Sequence, residues 1–210
     1  MSGILAVWND CASGREAFYE EWYQEEHLME RIGVSGFIIG RRYEAVVAKQ
    51  QFLTTYEVES AGVLSSPQYR ERLAHPTERT TAIMRGGFLN MNRKVCERRA
   101  MRGACRGGLA LTVAVTEANP FARLQSLAEQ WPLSSELTHS EIWIAVLKEE
   151  KASAEEALRG RDAKISGCLA LEFLRREPAM RVANDIRQAL PGSEVGVYQL
   201  MCTLRNEDLN

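Results

Sequence analysis

Residues 4–8 (ILAVW) form a short apolar run that ends at Asn9-Asp10 and Ser13-Gly14, a pattern that predicts a strand. Over residues 14–32 the period changes. Phe18, Trp22, Met29 and Ile32 recur at helical spacing, while Glu16, Glu20, Glu21, Glu25 and Glu26 fill much of the rest. Gly33 and Gly36 end that helix. Residues 37–47 and 51–59 read as two strands joined by Ala48-Lys49-Gln50. Ser66 is a predicted N-cap with Pro67 at the first helical position. His75-Pro76 breaks that helix, because proline disfavours helical backbone in the residue before it. Helix resumes after Thr77 and stops at Gly86-Gly87, and residues 88–95 form a fourth strand.

The same order then recurs. Residues 109–115 predict a strand, and Asn119-Pro120 opens a helix that runs to about residue 130. Strands follow at 139–147 (HSEIWIAVL) and 168–174, with a short helix expected near 154–158 in the connection. Met180, Val182, Ala183, Ile186 and Leu190 give residues 178–190 one apolar helical face, Pro191-Gly192 ends it, and residues 195–204 close the series as a strand.

Two β-α-β-β-α-β halves imply an α+β protein. In each half the right-handed crossover rule places both helices on one side of a four-stranded antiparallel sheet. The other face is bare and must find a partner. Two halves in one chain can bury those faces against each other around a barrel-like interior. The expected division is residues 1–97, a linker at 98–108, and residues 109–210. The linker reading rests on RRAMRGACRGG, which is basic, contains glycine and lacks apolar periodicity. Within the strands, Leu5 and Val7 oppose Ala6, Trp8 and Asp10, and Leu89 and Met91 oppose Phe88, Asn90 and Asn92. The purely apolar sets belong under the helices and the mixed sets in the interior, provided the register does not slip by one residue.

Composition narrows the function classes. A chain of 210 residues with 45% hydrophobic content can build a core, and a net charge of −2 gives no electrostatic reason to expect nucleic acid or anionic membrane as a partner. Five cysteines, with no C-x-x-C, fit a reducing compartment. Residues 1–10 do not resemble a signal peptide, and no apolar run approaches the roughly 18 residues needed to span a bilayer. A cytoplasmic location is expected. G-x-G-x-x-G, P-loop, G-x-S-x-G and zinc spacings are absent from the sequence.

The run Trp22-Tyr23-Gln24-Glu25-Glu26-His27-Leu28-Met29-Glu30-Arg31, followed by Val34-Ser35-Gly36-Phe37 and Gly40-Arg41-Arg42-Tyr43, resembles the W-Y-x-x-E-H-x-P-E-R…V-P-G-F…R-R-Y signature of dimeric α/β-barrel proteins, with EthD-like members the most similar. Met29 stands where that pattern has proline. The resemblance covers about residues 8–43 and implies two tandem ferredoxin-like halves whose antiparallel sheets pack as an α/β barrel. It implies a small-molecule ligand, with proton-transfer or cofactor-independent oxygenase-type chemistry on an apolar or aromatic compound. A haem on His27 is a further option among such proteins, but one histidine is thin support and no cofactor is expected. The alternative is a non-catalytic assembly or partner-binding protein, and either reading is compatible with a homo-oligomer.

His27 is the candidate catalytic residue, since a histidine can donate or accept a proton at cellular pH. Tyr23 lies one turn earlier on the same face. The plain alternative is a helix-end histidine that fixes the following turn. Arg41 and Arg42 face opposite sides of a strand, so only one points inward, where it could hold a carboxylate or phenolate. Trp8, Trp22, Tyr23, Tyr43 and Asn90 complete the candidate substrate-binding set, with core packing the alternative for the aromatic residues. The second half carries no match to the motif, and His139 falls in a predicted strand. One site per chain is expected, on the first half.

Overall fold

A computed structural model describes residues 1–146 and 165–209. Among the described residues eight strands form one closed antiparallel barrel. They are β1 (Gly3–Cys11), β2 (Phe37–Val47), β3 (Phe52–Val58), β4 (Phe88–Arg102), β5 (Leu109–Val115), β6 (Leu137–Ala145), β7 (Gly167–Phe173) and β8 (Glu194–Arg205). The order around the barrel is β1-β3-β2-β8-β5-β7-β6-β4. Each half thus contributes a ferredoxin-like sheet ordered fourth, first, third, second. The halves meet edge to edge, β2 with β8 and β4 with β6. Each seam satisfies a row of backbone N–H and C=O groups that a free edge would leave exposed.

Helices cover the outside: α1 (Glu16–Trp22), a π-helical turn at Tyr23–His27, α2 (Leu28–Ile32), α3 (Pro67–Ala74), α4 (Glu78–Gly86), α5 (Phe121–Glu129) and α6 (Arg176–Ala189). The expected punctuation is present. Ser66 Oγ accepts from the Tyr69 N–H with Pro67 behind it, and Thr77 accepts from the Thr80 N–H. The expected short helix at 154–158 and the strand end at residue 147 lie outside the described residues.

Among the described residues three apolar cores result. One lies between the first half's helices and sheet and includes Leu5, Val7, Tyr19, Trp22, Tyr56 and Ile83. A second is its counterpart in the other half, around Leu111, Leu124, Leu171 and Ile186. The third fills the barrel, with Ile4, Ala6, Trp8, Tyr43, Trp143 and Tyr198. Each large side chain removed fully from water contributes about 1.5–3 kcal/mol.

Two sequence expectations are corrected. Strand β4 continues to Arg102, where a strand end near Val95 and a connector from Arg98 were expected; Arg98–Arg102 pair with β6 instead. A partner more than 35 residues away leaves no trace in local periodicity. The face assignment within β4 also changes. Asn90, at φ 49°, sits in a bulge where Asn90 and Met91 lie opposite Asn9 alone, between the pairs Trp8–Asn92 and Asp10–Leu89. The extra residue reverses the parity. Phe88 and Met91 therefore pack under the helices, while Leu89 is exposed and Asn92 is buried beside Trp8.

The turn after β4 requires glycine. Gly103 has φ +82°, a Cβ there would strike the Thr138 carbonyl, and the Gly103 carbonyl lies 2.7 Å from His139 Nδ1. Gly103→Ala is expected to cost at least about 1–2 kcal/mol from left-handed backbone alone, measured as a lower urea midpoint. An unchanged midpoint would mean that the turn rebuilds without the loss.

Candidate functional site

The first-half helix places Tyr19, Trp22, Tyr23 and His27 against the outer face of β1, β2 and β3, all of them buried. The π-helical turn at Tyr23–His27 widens the backbone by one residue per turn and sets His27 beside Trp22. The two ring centroids are 4.1 Å apart at 30°, and the Tyr23 ring meets His27 edge-on at 5.2 Å. Trp22 Nε1 donates to Thr80 Oγ1 at 3.0 Å, and Thr54 Oγ1 donates to the Tyr23 hydroxyl at 3.3 Å.

Burial pulls the His27 pKa well below its ordinary value, and the nearby charges of Arg31 and Arg42 add to the effect. The ring is therefore neutral near pH 7. Arg31 Nε can only donate and points at His27 Nε2 at 3.5 Å, so the ring proton sits on Nδ1. That Nδ1 is buried without a hydrogen-bond partner among the described residues. The Tyr56 hydroxyl, in the same layer, is also buried without one. A metal coordinated to His27 Nε2 would have to displace Arg31, so the residues present do not suit haem at that nitrogen.

Arg42 also faces this layer, and it is engaged. It makes a bidentate pair with Glu20 at 2.9 and 3.2 Å and lies 4.0 Å over the Tyr23 ring. Burial lowers its pKa, but the Glu20 bond more than compensates and holds it above the ordinary arginine value. Arg42 is thus an internal tie between β2 and the helix.

The remaining candidates lie elsewhere. Arg41 is the strand neighbour that faces the barrel, as do Trp8 and Tyr43, which belong to the barrel core. Burial, ahead of the Glu172 charge, raises the Tyr43 pKa. Asn90 stands at the opposite rim, where its Nδ2 donates to Asp10 Oδ2 at 2.6 Å. The sheet therefore divides the predicted set: Trp22, Tyr23, His27 and Arg42 on the helix side, Trp8, Arg41 and Tyr43 on the barrel side, and Asn90 apart from both.

Sequence reasoning missed a second polar cluster, at the barrel end where β5 begins. Arg98 bridges Glu57 and Glu141, and Arg106 bridges Glu141 and Glu172. His139 Nε2 lies 2.7 Å from Glu141 Oε1, Trp143 Nε1 donates to Glu141 Oε2 at 2.6 Å, and the Gly107 N–H donates to Glu172 at 2.9 Å. Burial pushes Glu141 up, yet hydrogen bonds from His139 and Trp143 and the Arg106 charge outweigh it, holding the carboxyl well below the usual range. At Glu172 burial wins and the pKa is raised. The signal was present in H-S-E-I-W, where period-two spacing puts His139, Glu141 and Trp143 on one strand face. Among the described residues no three metal-ligating side chains converge, and no helix is long and apolar enough to cross a membrane.

No family model and no curated protein matches the sequence. Solved structures do match in shape. The chain is similar to an anthrone oxidase-like protein at 10% identity, covering 98% of this chain and 93% of that one with a TM-score of 0.64. It is similar to a candidate monooxygenase from Fusobacterium nucleatum at 9% identity (97% and 94% covered, TM-score 0.54). It is also similar to a chlorite dismutase from Candidatus Nitrospira defluvii, solved with imidazole, at 7% identity (94% and 91% covered, TM-score 0.50). The chain has the fold of the dimeric α/β-barrel proteins, with both ferredoxin-like units carried on one polypeptide.

Proposed function

We propose that the first half binds a small apolar or aromatic molecule with one oxygen acceptor, in the layer between helix and sheet at His27. The observation that carries this reading is the pair of unpartnered buried groups, His27 Nδ1 and the Tyr56 hydroxyl. Leaving such groups unbonded costs about 1–3 kcal/mol each, and a ligand oxygen would recover part of that. Trp22 and Tyr23 supply the aromatic wall, and the π-helical turn is the element best suited to open for entry.

The chemistry this supports is polarisation of the ligand oxygen by a neutral imidazole N–H. That is a donor's role, and it suits proton-transfer or oxygenase-type reactions on a phenol or enolisable ketone. The names of two similar structures, an anthrone oxidase-like protein and a candidate monooxygenase, agree with that class. Five free cysteines suit a cytoplasmic, reducing location.

The test is thermal-shift screening with 1-naphthol, anthrone and related phenols and ketones, since a ligand that binds only the folded state raises its stability. Hits are expected to lose most of their shift in His27→Ala. Tyr56→Phe removes an unsatisfied hydroxyl and is expected to leave unliganded stability unchanged or raise it by up to about 1 kcal/mol, while weakening ligands that used the hydroxyl. Identical responses of wild type and His27→Ala to every hit would remove His27 from the site.

A further inference from the structure

The second half closes its end of the barrel with a side chain. Arg106, from the segment before β5, lies between Glu141 and Glu172 and pairs with both. Strand register identifies the corresponding place in the first half. Gly3 pairs with Val58 as Leu109 pairs with Phe173, and Ile39 pairs with Glu57 as His139 pairs with Glu172. Glu57 is therefore the counterpart of Glu172. Arg41, two residues past Ile39, is the counterpart of Glu141.

At that place the first half has a cleft of about 520 Å³, lined by Phe37, Ile38, Ile39, Arg41, Glu57 and Arg205 among others. Its charges are committed, with one exception. Glu57 pairs with Arg98, and Arg205 pairs with Glu207. The Arg41 guanidinium makes no hydrogen bond or ion pair with any described residue. Burial, and then the charge of Arg106, lower its pKa and outweigh the opposing charges of Tyr43, Glu172 and Glu57, so an incoming anion would favour its ionised form. Where the second half sets a cation against the Glu141 carboxylate, the first half presents a cation and an open space. The guest that completes it must be an anion.

We propose that this cleft binds a small monocarboxylate with an apolar body, its carboxylate held by Arg41 and its body against Ile38 and Ile39. A planar guanidinium takes a carboxylate through two parallel hydrogen bonds. A single negative charge suits the site better than two, because among the described lining residues Arg205 is already paired with Glu207 and the Glu57 and Glu207 carboxylates also line the cleft. Arg41 and His27 lie on opposite faces of the sheet, so this site is independent of the one at His27.

The experiment is isothermal titration of the full chain with benzoate and hexanoate, with benzyl alcohol as the uncharged control. Both carboxylates are expected to bind saturably. Arg41→Gln, which removes no bond to a described residue, should weaken them about tenfold or more, equivalent to about 1.4 kcal/mol. Ile38→Glu, at an exposed lining position, should weaken them similarly by repulsion, while His27→Ala should leave them unchanged. The proposal is overturned if neither carboxylate saturates the wild type, if benzyl alcohol binds as tightly as benzoate, or if either cleft variant binds as wild type does. Circular dichroism confirms that the variants are folded.

Discussion

Replacing Glu141 with glutamine is expected to destabilise the protein by about 3–5 kcal/mol, the usual cost of breaking a buried ion pair from one side. The carboxylate is almost wholly buried and is contacted by Arg98, Arg106, His139 and Trp143. A neutral amide leaves the two guanidinium groups without their shared charge. It also turns a donor towards groups that themselves donate. The pH dependence has a definite sign. The folded-state pKa of Glu141 lies below the ordinary carboxylate value near 4.5. Its stabilisation is therefore complete above that value and fades as pH falls towards the depressed one. Glu172 works in the opposite sense. Its folded-state pKa is raised, so the stability it contributes at low pH is lost as pH rises through that higher value. Urea midpoints measured between about pH 3 and pH 7 should show a shallower acid decline for Glu141→Gln than for wild type. Parallel curves would mean that Glu141 is not the carboxylate behind the decline.

Trp22→Ala should cost a comparable amount, about 3–5 kcal/mol, as expected when a large aromatic side chain is cut from a close-packed core. Trp22 is fully buried, meets Tyr23 edge-on at 4.9 Å and Phe88 at 5.7 Å, and stacks on His27. Trp22→Phe should recover most of the loss. Thr80 Oγ1 loses the indole donor but keeps Glu26 as a partner, so no buried polar atom is stranded. Denaturation by urea distinguishes the two variants. Similar losses for Phe and Ala would place the cost in the Thr80 bond and not in the packing.

Much of the fold was legible because it is written in local rules. Ser66-Pro67, the break at His75-Pro76 and the restart after Thr77 depend on residues within a few positions of one another, and the structure keeps them. The repeated order of strands and helices, together with the crossover rule, was enough to imply two ferredoxin-like sheets and a shared interior. The candidate site was legible only as a set of residue types. Alternation showed that Arg41 and Arg42 point apart, but could not show which would find Glu20 and which would be left facing an open cleft. Alternation put Glu141 on the same face as His139, but its other partners, Gly103 and Arg106, reach it only once β4 has paired with β6.

The sequence by itself determined the elements, their order and the two-sided character of each strand, since these follow from period, capping and proline chemistry over a few residues. Tertiary structure alone decided three further matters. It decided that the sheets close edge to edge through β2 with β8 and β4 with β6, because a strand edge carries no side-chain code for a distant partner. It decided the parity of β4, because one residue in left-handed backbone at Asn90 moves Phe88 from the interior to the helix side. And it decided which polar groups are matched in charge and hydrogen bonding. That balance depends on distance and burial, and His27 Nδ1 and the Tyr56 hydroxyl are among the buried atoms it leaves without a hydrogen-bond partner in the described residues.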